Sequence, residues 1–256
     1  LTIAVNTLAL QVNREAADGS VVDFGLTEST SDAADARNTT LEIATGPTTS
    51  LTLGMDGADG EMTRLTGNLE LNLFGFVTVE GEFGIESKQG AVKLAGVEDD
   101  PLTTTVNEAT APVMVDMLLI GGNNLSAFAG SEEIGLNLSG VGLGIALMTE
   151  QVQAPAEGEP AVTARSWTSA QATIADASID GIEGLTIAVN TLALQVNREA
   201  TDGSVVDFSL TEITTDEATE RNTNLVIATG PESSLTLGMD GADGEMTRLT
   251  GNLELN

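Results

Sequence analysis

Two short acidic stretches carry the residue types best suited to holding a ligand. Met55-Asp56-Gly57-Ala58-Asp59-Gly60-Glu61 recurs as Met239-Asp240-Gly241-Ala242-Asp243-Gly244-Glu245. The carboxylates of Asp56, Asp59 and Glu61, and again of Asp240, Asp243 and Glu245, are close enough in sequence to wrap a hard cation together with carbonyl oxygens. Ca²⁺ is the ion such an oxygen set takes. Neither stretch has EF-hand spacing, nor the full glycine-and-aspartate nonapeptide of a calcium-binding β-roll. The favoured reading of the same residues is a solvated Asp-Gly turn. Glu98-Asp99-Asp100 is a weaker candidate, and nothing in the sequence requires a cofactor.

Residue types missing from the chain remove most other chemistry. There is no histidine and no cysteine. Ser-His-acid and Cys-His catalysis, HExxH zinc sites, disulfides and thiolate nucleophiles are therefore out of reach. Paired carboxylates can hydrolyse glycosides when they flank a cleft, but no pair stands out here from the other acidic residues. Sugar-stacking aromatics are limited to Trp167 and six Phe. Gly140–Gly144 has neither a Walker lysine nor a dinucleotide fingerprint. The chain reads as something other than an enzyme.

The elements that must position these turns are organised by a repeat. Leu185–Asn256 copies Leu1–Asn72 at an offset of 184, with 61 of 72 positions identical. The expected organisation is 1–72 as the C-terminal part of one unit, 73–184 as the N-terminal part of the next, and 185–256 as a second copy of the first segment. Such phasing reads as a window on a longer array. Residues 151–160, with two prolines, form the most linker-like segment. Most differences between the copies fall in the polar stretch 27–50, for example Ala36 against Glu220. A solvated connection accepts such a change, whereas a packed core does not.

The formal charge is −30, from 39 acidic and 9 basic residues. Nucleic acid and anionic membrane surfaces are poor partners for such a chain. Arg14, Arg64, Arg198 and Arg248 are expected to pair with neighbouring carboxylates. No apolar run is long enough to predict insertion in a membrane. An acidic, lysine-poor surface suits an extracellular or saline setting.

Periodicity points to strands. Leu1, Ile3 and Val5 alternate with small or polar residues, and Leu8, Leu10 and Val12 resume in the opposite phase, which demands a corner or bulge at Asn6–Thr7. From Leu65 to Ile85 apolar residues and glycines fall at steps of two, while Phe74 and Phe76 take the other parity and suggest burial on both faces. Gly75, Gly81 and Gly84 mark bends or close backbone approach. Gly121-Gly122-Asn123-Asn124 reads as a corner, and Gly140 as another change of phase. Residues 27–40 and 96–112 read as polar connections, with a short helical turn at Asp32–Arg37 and a marginal helix at Ser169–Ala177.

Many strands of about four to seven residues joined by Gly or Asn corners predict an all-β, elongated repetitive structure. A β-solenoid or stacked-sheet array is the first expectation, and tandem β-sandwich domains are the alternative. A single short sheet buries too little to offset its ordering entropy, so stacking on a neighbour should complete the core.

The phrases Leu65-Thr66-Gly67-Asn68-Leu69-Glu70-Leu71-Asn72-Leu73-Phe74-Gly75-Phe76, Leu118-Leu119-Ile120-Gly121-Gly122-Asn123-Asn124-Leu125-Ser126-Ala127-Phe128 and Gly184-Leu185-Thr186-Ile187-Ala188-Val189-Asn190 resemble repeats of very large, acidic, cysteine-free bacterial secreted or cell-surface proteins. The resemblance is one of texture over the whole chain and carries over no functional residue. It implies a giant surface or filament component. The expected function is a structural element of an extracellular fibre, stalk or surface matrix, with further copies of the repeat as end-to-end or lateral partners. The alternative is a Ca²⁺-dependent adhesion module for extracellular polysaccharide, and a glycan-active enzyme is a distant third.

Overall fold

Alternation carried straight through the phase changes gives strands of up to 18 residues instead of the short ones expected. The computed structural model describes residues 2–24, 41–95, 112–131, 134–152, 163–181, 187–208 and 225–255. Within them the chain is all-β. Its strands are β1 (Thr2–Asn13), β2 (Glu42–Ala44), β3 (Ser50–Thr52), β4 (Met62–Leu73), β5 (Val77–Val92), β6 (Leu94–Ala95) and β7 (Val113–Gly130). They continue as β8 (Gly135–Glu150), β9 (Ser166–Asp180), β10 (Ile187–Arg198), β11 (Val205–Val206), β12 (Val226–Ala228), β13 (Ser234–Thr236) and β14 (Met246–Leu255). A 3-10 turn sits at Gly57–Asp59 and its copy at Gly241–Asp243.

Eight long strands form one antiparallel sheet in the order β1-β4-β5-β7-β8-β9-β10-β14. The phase changes are bulges inside these strands. Register shifts between Val5 and Thr7, between Glu80 and Glu82 beside Gly81, and between Gly122 and Leu125 beside Asn124. One extra residue moves the following side chains to the other face without ending the ladder. Gly81 and Asn124 take positive φ at these points, which glycine and asparagine adopt at least cost. The described residues show no closure into solenoid coils. Short, cornered strands were the reason to expect one, and bulges remove that reason.

Two further expectations are corrected. Ser169–Ala177 is part of β9, because ladder pairing with β8 on one side and β10 on the other outweighs a marginal helical propensity. Phe74 and Phe76 lie at the exposed tip between β4 and β5, with Phe74 and Gly75 both at positive φ. They do not bury a second face. Residues 25–40, 96–111 and 153–162, which take in the polar connection 27–40, nearly all of 96–112 and most of the linker 151–160, lie outside the described residues, so the helical turn at Asp32–Arg37 does too.

Each repeat copy sends an arm away from its long strands before returning. The second copy's arm, 200–208 and 225–243, folds back over the face of the central strands. Its β11 pairs with β6, and its β12–β13 hairpin packs across β5, β7 and β8. The main core lies between them: Val92, Val115, Leu119 and Met148 from the sheet meet Phe208, Ile227, Leu237 and Met239 from the arm, with Trp167 at one margin. The first copy's arm folds on itself around Phe24, Met55 and Met62.

Candidate functional site

The Asp-Gly turns are built alike in both copies. The Gly57 N–H donates to Asp23 Oδ1 at 3.1 Å, and the Gly241 N–H to Asp207 Oδ1 at 3.0 Å. Asp240 caps its own turn by accepting from the Ala242 N–H at 2.9 Å. Asp56 opens the other turn, its backbone carbonyl accepting from the Asp59 N–H at 3.2 Å. The remaining carboxylates face cationic side chains. Glu61 pairs with Arg14 and Glu245 with Arg198, both at 2.7 Å. Asp59 lies 3.3 Å from both Arg64 and Lys88, and Asp243 lies 2.9 Å from Arg248. Among the described residues no group of three acidic side chains is arranged to hold a metal ion.

The richest charge cluster joins β4 and β5. Register places Arg64 opposite Glu86, and Arg64 Nε reaches Glu86 Oε2 at 2.6 Å while Lys88 Nζ lies 3.0 Å from Glu86 Oε1. Glu86 is fully buried. A buried carboxylate is costly unless paired, and the two cations supply that pairing. Burial opposes the charge on Arg64, yet its contacts with Glu86 and Asp59 outweigh it and raise its proton affinity. A cleft of about 420 Å³ opens above the cluster, between Gln11, Arg64 and Lys88 below and residues 230–234 of the arm's hairpin above. At its edge Glu82 Oε2 accepts from Ser233 Oγ and from Asn123 Nδ2, each at 3.0 Å.

The arm is held to the sheet by three devices. Gly84, Gly121 and Gly144 stand directly opposite one another on β5, β7 and β8, forming a trough across the strands. A Cβ at Gly84 or Gly121 would come within 2.2 Å of the Ala228 carbonyl oxygen, and one at Gly144 within 2.9 Å of Leu235. At the margin Arg165 makes a two-point contact with Glu150, at 2.8 Å on each oxygen, and reaches Asp202 in the arm at 3.0 Å. These hydrogen bonds, with Glu150 the foremost, raise the proton affinity of Arg165 and keep it charged. The same guanidinium stacks 5.2 Å from the Trp167 ring centroid. Beneath it the Trp167 indole N–H donates to the Ser204 carbonyl at 3.1 Å, and Ser169 Oγ donates to Asn197 Oδ1 at 2.9 Å.

The chain matches no protein-family model, no curated protein and no solved structure.

The arrangement therefore speaks through its own two copies. The expected pairing of Arg14, Arg64, Arg198 and Arg248 with carboxylates is present. Sequence reasoning missed Glu86, Lys88, Arg165 and the glycine trough. Gly84 alone gave a signal, as a place of close approach; its alignment with Gly121 and Gly144 appears only once the strand register is known. Among the described residues no helix is long and apolar enough to cross a membrane.

Proposed function

We propose that the chain is a segment of an extended array of β-rich repeats with a structural role, such as an extracellular fibre, stalk or surface matrix. One observation carries this reading: the two repeat copies enter one sheet at its opposite margins, β1–β4 at one and β10–β14 at the other. The strands between them run without interruption, and the second copy pairs back onto β9 through eleven residue pairs. A repeat that joins its neighbour through ladder hydrogen bonds and a shared core makes a continuous body, which suits bearing load or spanning distance. The charge of −30 keeps such bodies apart in solution.

Cryo-electron microscopy of the material from its source, with and without a Ca²⁺ chelator, tests the reading. A continuous rod with a strand repeat of about 4.8 Å along its axis is expected, and its survival in chelator would exclude a metal-stapled form. Discrete beads on flexible tethers would sink the proposal.

A further inference from the structure

The two arms are nearly the same sequence in two different situations. Leu225 and Ile227 in the second arm are 4% and 0% exposed, whereas their counterparts Leu41 and Ile43 in the first are 42% and 44% exposed. Every residue buried in the described second arm, from Ala200 to Gly241, has an identical counterpart in the first. The described differences fall at exposed positions, such as Glu42 against Val226 and Thr48 against Glu232, except at half-buried Ser233. Thr49 replaces Ser233 and keeps the hydroxyl that meets Glu82.

The long strands repeat the contrast. β10 pairs with β9 on one side and β14 on the other, whereas among the described residues β1 pairs with β4 and its other edge has no strand against it. Leu8 and Leu10 are exposed on β1, while Leu192 and Leu194 are half-buried on β10. The polar contacts are likewise half made. Asp18 Oδ1 accepts from Ser20 Oγ at 2.7 Å just as Asp202 does from Ser204 at 2.6 Å. In the second copy that same pair also receives Arg165 and Trp167.

We infer that the open edge of β1 and the exposed first arm form one docking surface, and that its occupant is a further copy of residues 73–184. The second copy shows what that segment supplies: a β9-like strand for the edge, an Arg165 for Asp18, a Trp167 for Ser20, and the glycine trough for the hairpin. The opposite margin asks for the same segment. Arg64 has Glu86 and Asp59, whereas among the described residues the ion-pair partner of Arg248 is Asp243. Leu249 is exposed on β14, while its counterpart Leu65 is half-buried against β5. Among the described residues, both margins of the sheet lack the contacts that one intervening segment provides. In this chain the only such segment, 73–184, already holds the second arm, so a second molecule has no open trough to offer. The inference rests on the tandem reading above and names its joint.

The test adds residues 73–184 directly ahead of Leu1, in the order in which they already precede Leu185, with the rest of the chain intact. The chain has no cysteine, so Ile43→Cys and Ile227→Cys can each be followed by maleimide labelling. In the 256-residue chain, position 43 should label roughly a hundredfold faster than position 227. In the extended chain its rate should fall to that of position 227. Amide hydrogen exchange over 41–53, without substitution, should slow in parallel and covers the case in which a cysteine variant folds poorly. Rapid labelling and exchange at 43 in the extended chain, with 227 still protected, would overturn the inference. Protection at 43 that rises with concentration in the original chain would overturn it too, by naming a second molecule as occupant. Failure of the source material to form rods would refute the structural function while leaving this joint standing or falling on its own data.

Discussion

Gly121 lies so close beneath Ala228 that a Cβ on the glycine would stand 2.2 Å from the alanine carbonyl oxygen. No backbone dihedral demands glycine there; proximity does. Gly121→Val should therefore lift the β12 hairpin and cost roughly 3 kcal/mol or more, read as a lower urea midpoint and faster exchange at residues 225–237. Gly142→Ala, whose added carbon meets only the Thr173 hydroxyl at 3.2 Å, should change stability by less than about 1 kcal/mol. Equal effects of the two would refute the trough as the seat of the arm.

Ile43 and Ile227 offer a paired experiment within one chain. Truncating Ile227 to alanine opens a cavity in the main core and should cost about 2–4 kcal/mol. The same change at Ile43, exposed in its own copy, should cost less than about 0.5 kcal/mol. Chemical denaturation of both variants decides the matter.

Arg64 and Arg248 are also repeat partners with unequal surroundings. Arg64→Ala strips one cation from the buried Glu86 and should destabilise by about 2–3 kcal/mol. Arg248→Ala loses a largely solvated contact with Asp243 and should cost no more than about 0.5 kcal/mol. Similar losses in the two variants would contradict the role assigned to Glu86.

The Arg165 hydrogen bond, before any opposing burial, depresses the proton affinity of Glu150 below its ordinary value of 4.5. A carboxylate with a lowered folded-state pKa contributes stability that is present above its unfolded value and lost as pH falls through the folded one. Wild type should therefore exceed Glu150→Gln in stability at neutral pH, with the gap narrowing as pH drops below about 4.5. Comparing the two proteins cancels the change in overall charge. A gap constant with pH would show that Glu150 is not ion-paired in solution.

Self-repulsion from a formal charge of −30 should make stability rise with salt. Between about 10 mM and 1 M NaCl the screening length falls from roughly 30 Å to 3 Å. Thermal melting should move upward by several degrees, and a downward shift would mean that the ion pairs outweigh the net charge.

All-β character was legible from alternation alone, and so were the change of phase near Asn6, the close approach at Gly84 and the arginine pairing. Strand length was not. A one-residue change of phase looks the same in sequence whether the chain turns a corner or inserts a bulge, and only long-range pairing, as at Gly122 and Leu125, separates the two. Propensity likewise misplaced Ser169–Ala177, where small residues such as Ala170 and Ala172 are held by ladders on both sides. The acidic turns were found, but not their cations. Lys88 and Arg64 reach Asp59 from strands whose register nothing local specifies.

In the proposed array the strand order would also set a screw. β10 stands six ladder steps from β1, an even number, so the chain enters both copies travelling in the same direction. At roughly 4.8 Å per step the unit advances about 29 Å, and at about 20–25° per step it turns by about 120–150°. Successive arms would then point to different sides of the axis, roughly 2.4 to 3 per revolution. Such a helix would have no preferred bending plane and would carry its carboxylates around the full circumference.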